Sequence, residues 1–131
     1  MLPFEIQTQP GKPVSEQLVY AVKKAVACGH LTPGDAFPSV RELSRELKIN
    51  PNTAQKAVAQ LTQMGILQIQ PGIGTQISEP VPLKPDEIAR MLQDPLESLA
   101  VEAKRLGMTR TQLETSLRDT WKTLTPEKPH E

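Results

Sequence analysis

The stretch 50–63 contains polar residues whose identity and spacing suit the binding of another molecule. At about 100° of rotation per helical residue, Asn52 and Lys56 project from one side of a helix, with Thr53 and Gln55 on its flanks. This short face has hydrogen-bond donors and acceptors but only one charge, which suits contact with base edges in a DNA groove. An exposed polar surface without a function would show the same pattern, so the flanking elements must decide between the two interpretations.

The ends and the inner side of this helix are marked in the sequence. Asn50 followed by Pro51 predicts a helix start, because Asn is a favoured N-cap and Pro lacks an N–H that would have no helical partner there. Gly65 is expected to end the helix in a left-handed conformation. The inner side is predicted from apolar residues at i, i+3, i+4 and i+7, which are Ala54, Ala57, Val58 and Leu61.

Another helix is predicted just upstream. Ser39 and Glu42 have the Ser-x-x-Glu spacing of a capping box, in which each side chain accepts a hydrogen bond from an unpaired first-turn amide. Residues 48–49 turn the chain into the next helix, and residues 32–35 are predicted to form a type II turn with Pro and Gly at its centre. The apolar stripe of this helix consists of Val40, Leu43 and Leu47.

Downstream of Gly65 the pattern changes to that of a β-ribbon. Residues 66–70 alternate apolar and polar side chains from the second position, residues 71–74 make a Gly-rich turn, and residues 75–77 return as a partner strand. With a leading helix from Pro13 to about Cys28, this order of elements predicts a winged helix-turn-helix.

Four stretches resemble the GntR family of bacterial transcription regulators: Phe37–Leu43, Asn50–Ala57, Gly65–Leu67 and Gly72–Thr75. The Asn-Pro-Asn-Thr-x-Gln-Lys run and the short C-terminal tail are most similar to its YtrA subfamily. The resemblance covers residues 10–78 closely and the tail loosely. It implies a sequence-specific regulator, expected to be a repressor, that acts as a homodimer on a pseudo-palindromic operator in double-stranded DNA.

The resemblance also implies which residues contact DNA. The sequence departs from the wider family in two places. At Pro51 and Gln55 many members carry arginines, and the wing has no Lys or Arg between Gln68 and Gln76. These departures leave the operator sequence open, and a wing without cations releases no counterions from DNA. The implied DNA-binding residues are Ser39, Arg41, Asn52, Thr53, Gln55, Lys56 and Gly72.

The expected fold class is mainly α with a small β-ribbon, the winged helix-turn-helix, plus a C-terminal antiparallel helical hairpin. The expected boundaries are 1–78 for the winged domain, 79–85 for a Pro-rich linker and 86–131 for a helical tail. In the first domain, an N-terminal arm with Phe4 and Ile6 is expected to dock on the helices. In the tail, Asp94-Pro95 either kinks or restarts a helix, and residues 125–131 are expected to be disordered.

The tail carries apolar stripes that two helices of this length cannot bury by themselves. The resemblance implies that they bury against a second copy, whereas packing on the winged domain of the same chain is the alternative. The predicted dimerisation residues are Leu96, Leu99, Ala103, Leu106, Leu113, Leu117 and Trp121.

Composition excludes several classes of function. The formal net charge of the 131 residues is zero, but residues 1–78 carry seven Lys and Arg against five Asp and Glu, while the remainder carries eight against ten. Cys28 is expected to be a buried core thiol, and His30 and His130 lie too far apart in the sequence to indicate a metal site. No signal peptide or long apolar run is present, so we expect no membrane association, and the expected location is cytoplasmic.

Two other functions were weighed against DNA binding. Some relatives fuse this module to a pyridoxal-phosphate enzyme domain, but a catalytic domain does not fit in the roughly 50 residues that follow the wing. The chain is therefore expected to be neither an enzyme nor a cofactor binder. A winged helix that binds protein without specific DNA binding is the remaining alternative, and an inverted repeat bound upstream of its own operon would decide against it. A small-molecule effector, if one exists, is not identified by any cluster of polar residues.

Overall fold

The computed structural model describes residues 2–124, which form five helices and one two-stranded antiparallel sheet. The chain divides into two compact units, the first extending to Pro80 and the second beginning at Val81. The predicted disorder of residues 125–131 falls outside the described residues. The elements in chain order are α1 (Val14–Ala27), α2 (Val40–Leu47), α3 (Pro51–Gln63), β1 (Leu67–Gln70), β2 (Gly74–Ile77), α4 (Pro85–Arg105) and α5 (Arg110–Leu124).

The first unit is built around the inner sides of α1, α2 and α3. Leu43 of α2 and Leu61 of α3 are completely buried, as the predicted stripes require. Ala54 and Ala57 are also completely buried, and their small side chains let α3 approach both of the other helices closely. The Cys28 thiol is buried in the same unit, as expected. The remaining large core side chains, apart from those of the sheet, are Leu18, Val22, Leu31, Phe37, Val58 and, from the N-terminal arm, Phe4.

The sheet confirms the predicted ribbon with small changes at its ends. Its register pairs Leu67 with Ile77 and Gln70 with Gly74, and the Leu67–Ile77 pair is buried in the core. The first strand begins one residue later than predicted, because the Ile66 N–H is used to close the end of α3 by donating to the Leu61 carbonyl at 2.9 Å.

The N-terminal arm docks on this unit, as predicted. Phe4 is 7% exposed and its ring stacks on that of Phe37, with the centroids 5.8 Å apart. Further along, the Gln17 side chain accepts from the Gln9 N–H at 2.6 Å and donates to the Lys12 carbonyl at 2.8 Å. The arm is therefore fixed both to the core and to the first turns of α1.

The second unit consists of α4 and α5. The α4 helix continues through Pro95, so the alternative of a restarted helix is wrong. Thr109 and Gln112 form the predicted capping box at the start of α5, with distances of 3.1 Å and 2.8 Å. Ala103, near the connection between the two helices, is buried. Antiparallel packing along their whole length is not formed within one chain, so most of their apolar side chains stay exposed.

Candidate nucleic-acid interface

The start of α3 positions the polar residues singled out from the sequence. The Asn50 Oδ1 accepts a hydrogen bond from the Asn52 N–H at 2.8 Å, and Pro51 occupies the first helical position. The Asn50 carbonyl also accepts from the Thr53 N–H at 2.9 Å. Every N–H of the first helical turn is thus either absent or paired, which fixes the end of the helix that carries the polar face.

The outward side of α3 is as predicted. Asn52, Gln55 and Lys56 are exposed, and Thr53 is half-buried at the edge of the face. The helix has one Lys and no Asp or Glu, so its field does not repel phosphate. Amide and hydroxyl groups with a single cation are the side chains that read base edges in a major groove.

The start of α2 contributes the second predicted cation. The Ser39 Oγ accepts a hydrogen bond from the Glu42 N–H at 3.1 Å, so this hydroxyl has a structural role as the N-cap. Arg41 lies in the first turn with an exposed side chain. An exposed guanidinium at this position has the geometry for either a base edge or a phosphate.

The connection between α2 and α3 contains a backbone conformation that the sequence pattern did not indicate. Lys48 is left-handed, with φ 55° and ψ 48°, and is the only non-Gly residue with positive φ among those described. The Ile49 N–H then returns to the Ser44 carbonyl at 3.1 Å. This tight return directs the chain from α2 into the cap of α3.

The wing is tied to the segment that starts α2. The Phe37 N–H donates to the Thr75 carbonyl at 2.8 Å, and Ala36 forms a bridge with Gln76. At the other end of the ribbon, Gly72 has φ 79° in an exposed turn. The helices and the wing thus belong to one hydrogen-bonded body, and the predicted residues Ser39, Arg41, Asn52, Thr53, Gln55, Lys56 and Gly72 all belong to it.

The predicted dimerisation residues belong to the second unit. Leu96, Leu99, Leu106, Leu117 and Trp121 are exposed, Leu113 is half-buried and Ala103 is buried. Sequence reasoning did not single out Leu92, which is exposed and extends the same stripe towards the start of α4. Its spacing of four residues before Leu96 is the signal that would have identified it.

Other kinds of site find no support in the part of the chain that the structure describes. Its His, Cys, Asp and Glu residues include no group of three or more placed to hold a metal ion. Between residues 2 and 124, no helix has the length and apolar character needed to cross a bilayer.

A helix-turn-helix with an exposed polar second helix and a β-ribbon defines a winged helix-turn-helix DNA-binding protein. Residues 14–77 match the model of the family described as bacterial regulatory proteins, gntR family. The chain is 34% identical over 106 residues to the HTH-type transcriptional repressor YtrA of Bacillus subtilis, covering 80% of this chain and 82% of the relative. It is 31% identical over 107 residues to the uncharacterized HTH-type transcriptional regulator YhcF of the same organism, covering 82% and 88%.

A solved structure of similar fold covers nearly the whole chain. The crystal structure of a transcriptional antiterminator from Listeria monocytogenes EGD-e superimposes with a TM-score of 0.81 at 25% identity, covering 98% of this chain and 96% of that one. The chain belongs to the GntR family. It is a DNA-binding transcriptional regulator.

Proposed function

We propose that the protein is a transcriptional repressor that binds a pseudo-palindromic operator as a homodimer in the cytoplasm. The proposal is supported most directly by the tail, whose apolar stripe is exposed along most of its length in a single chain. In this proposal the polar face of α3 reads the DNA sequence, and dimerisation through the tail brings two such faces to one operator. DNA affinity and oligomeric state should therefore change together.

Each protomer offers one recognition helix. A dimer presents two of them to successive major grooves, about 34–36 Å apart, so the operator should contain two inverted half-sites. Arg41 and Lys56 are the cations we assign to each half-site, with Asn52 and Gln55 as the amide contacts and Thr53 at the edge. Because a single half-site engages only half of the phosphates, a monomer should bind much more weakly.

The stripe on α4 has the spacing of a helix that packs against another helix. Its residues recur at alternating intervals of four and three, which is the heptad pattern of apolar a and d positions. Nearly all of them are exposed in one chain, so the pattern has no partner along most of α4 within the second unit. A second copy supplies the matching stripe by symmetry. The stripe consists of Leu92, Leu96, Leu99, Ala103 and Leu106.

The helix itself offers a matched pair of variants for testing the dimer. Leu99 is 46% exposed within the stripe, whereas Val101 is 58% exposed and lies about 200° further round the helix. Leu99→Asp should convert the dimer to a monomer in analytical ultracentrifugation and weaken operator binding by orders of magnitude. Val101→Asp introduces the same charge on the other side of α4 and should leave both properties unchanged.

Operator binding is tested with the wild-type chain and DNA selected from genomic fragments. We expect enrichment of fragments with an inverted repeat, including the region upstream of the protein's own operon, and a gel shift that a scrambled duplex does not compete. If no sequence is enriched, the winged unit acts as a protein-interaction module instead. If the Leu99→Asp variant remains a dimer or aggregates, the stripe is not the dimer interface and packs on the winged unit of the same chain instead.

The repressor assignment rests on the similarity to YtrA, which is described as a transcriptional repressor. A dimer bound to an operator that overlaps a promoter keeps RNA polymerase off that promoter, so repression needs no further domain. A reporter driven by the selected upstream region should rise when the gene is deleted and fall when it is restored. A reporter that falls on deletion would make the protein an activator. A screen of metabolites for release of operator DNA would identify an effector.

A further inference from the structure

A groove lies between the N-terminal arm and α1 in the winged unit. Its volume is about 520 Å³, which is within the range of ligand-binding pockets. Ile6 on the arm and Ala21 on α1 supply apolar surface, and Tyr20 contributes a ring that is 63% exposed. The groove therefore combines room for a ligand with an apolar wall against which a side chain of that ligand can pack.

The arm has the side-chain alternation of a strand. Phe4 is buried and Ile6 is half-buried, whereas Glu5 and Gln7 are exposed. In an extended chain, successive side chains point to opposite sides, and the N–H and carbonyl groups of every second residue lie along the same edge. The backbone groups of Glu5, Gln7 and Gln9 therefore share one edge of the arm.

The contacts of Gln9 show that this edge faces α1. The Gln9 N–H donates to the Gln17 Oε1 at 2.6 Å, and the Gln9 carbonyl accepts from the Gln17 Nε2 at 3.1 Å. The side-chain amide of Gln17 thus pairs with Gln9 as the peptide group of a neighbouring strand pairs in an antiparallel ladder. By the two-residue repeat, Gln7 and Glu5 direct their backbone groups to the same side, into the groove.

The backbone groups of Glu5 and Gln7 have no partner to continue that ladder. Among residues 2–124, no atom forms a hydrogen bond with the N–H or carbonyl of either residue. An unpaired strand edge is a template for another strand. An extended peptide that adds to such an edge gains main-chain hydrogen bonds, while the surface beside the edge selects its side chains.

The charges around the groove indicate what kind of chain it accepts. The carboxylates of Glu5 and Glu16 and the ammonium groups of Lys12 and Lys24 line it. None of these four side chains forms an ion pair with another residue of the described part of the chain. Equal numbers of both signs favour a segment of little net charge over a polyanion, because complementary charges select the partner.

We propose that this groove binds an extended segment of a partner protein, which adds as a strand beside Glu5 and Gln7 and packs an apolar side chain against Ala21. The arm is fixed at both ends, by Phe4 in the core and by Gln9 on α1, so little ordering entropy is lost when the segment binds. This binding function is separate from DNA reading, and its test needs no DNA.

The first test uses the full-length chain and a library of random dodecapeptides displayed on phage. The most enriched peptide is labelled with a fluorophore and titrated by anisotropy. Gln7→Pro should weaken its binding on the order of tenfold, because proline removes the N–H that the peptide carbonyl needs. Thr8→Pro removes an N–H from the opposite edge of the arm and is the matched control, so it should bind the peptide as the wild type does.

Thermal melts show whether the arm stays docked in these variants. Phe4→Ala, which removes the anchor of the arm, gives the melting temperature of a chain whose arm is loosened. Gln7→Pro and Thr8→Pro should both melt close to the wild type, since proline fits an extended backbone and neither N–H has a partner within the described residues.

The second test leaves the protein unchanged. The amide nitrogens of the enriched peptide are methylated one at a time, and each derivative is titrated against the wild-type chain. Strand addition predicts an alternating result: affinity falls on the order of tenfold at every second position of a short run and changes little at the positions between. Recognition through side chains alone gives no such alternation.

Each outcome supports or overturns the proposal. Enrichment of no peptide, equal binding by the wild type and Gln7→Pro, or a methylation series without alternation would refute strand addition at this groove. If the wild-type chain forms a larger assembly than the Gln7→Pro variant in sedimentation, the groove takes the arm of a second copy, and the proposal of a partner protein is wrong. Operator binding is measured separately and stands or falls independently of these results.

Discussion

Asn50 offers the sharpest test of whether a residue beside the recognition face has a structural role or contacts DNA. Its Oδ1 accepts from the Asn52 N–H at 2.8 Å, while its carbonyl accepts from the Thr53 and Ala54 N–H groups at 2.9 Å and 3.2 Å. Asn50→Ala removes only the first of these bonds. The freed Asn52 N–H is at an exposed helix end and is hydrated, so the expected loss is about 1 kcal/mol of unfolding free energy.

That loss is large enough to measure. For a unit of the size of the winged one, about 1 kcal/mol lowers Tm by roughly 4–8 °C. Asn50→Ser keeps a side-chain acceptor at the cap and should melt close to the wild type. Asn50→Asp also keeps the cap, and its charge is favourable at a helix N-terminus, but it places a carboxylate beside the DNA-facing side chains.

Circular-dichroism melts and operator titrations well below Tm, run on all three variants, distinguish the two roles. The structural role predicts a lower Tm for Ala alone and weaker DNA binding for Asp alone, since only Asp repels phosphate. Unchanged melts combined with a loss of operator binding in both Ala and Ser would refute this reasoning. Asn50 would then be a base or phosphate contact.

The remaining predictions concern contacts elsewhere in the winged unit. Arg41→Ala and Lys56→Ala should each weaken operator binding by roughly 1–3 kcal/mol, whereas the control Lys23→Ala should change it little. Equal losses on scrambled DNA would indicate phosphate contacts. No loss in either variant would refute the assignment of this surface to DNA binding. Phe4→Ala should lower the unfolding free energy by about 3–5 kcal/mol, since it removes a buried stacked ring, whereas an unchanged denaturation curve would show that the arm adds nothing to stability. Lys48→Gly should raise stability by up to about 1 kcal/mol in denaturant titrations because it relieves the left-handed conformation; Lys48→Ala, which keeps the strain, should show no such gain.

The features that were predictable from the sequence are those fixed by residues a few positions apart. The Asn50 cap, the Thr109 capping box and the Gly65 helix end each depend on residues within a few positions of one another. The type II turn over residues 32–35 belongs to the same class, with Gly34 at φ 89° and the Asp35 N–H bonded to the Thr32 carbonyl. Such features are encoded locally, so composition and spacing suffice to place them.

Other features could not be predicted from the sequence because distant segments determine them. Lys48 is left-handed because α2 and α3 must pack across a short connection, and nothing in its side chain favours that conformation. The exposure of Ile73 depends on how far the ribbon extends beyond the core, which the alternation of residues does not encode. The pairing of Phe37 with Thr75 joins segments nearly 40 residues apart, and it is what ties the wing to α2.

The partner of the tail's apolar stripes could not be predicted from the sequence of one chain. The periodicity of α4 and α5 indicated apolar stripes, and the helices have them, but a stripe does not specify its own partner. Among the described residues of the second unit, Ala103, near the connection of the two helices, is the one that is buried. If the stripes had evolved to bury each other, Leu96, Leu99 and Leu117 would be covered in the second unit, and they are exposed. We propose that a second copy covers them, and the Leu99→Asp and Val101→Asp pair tests this assembly.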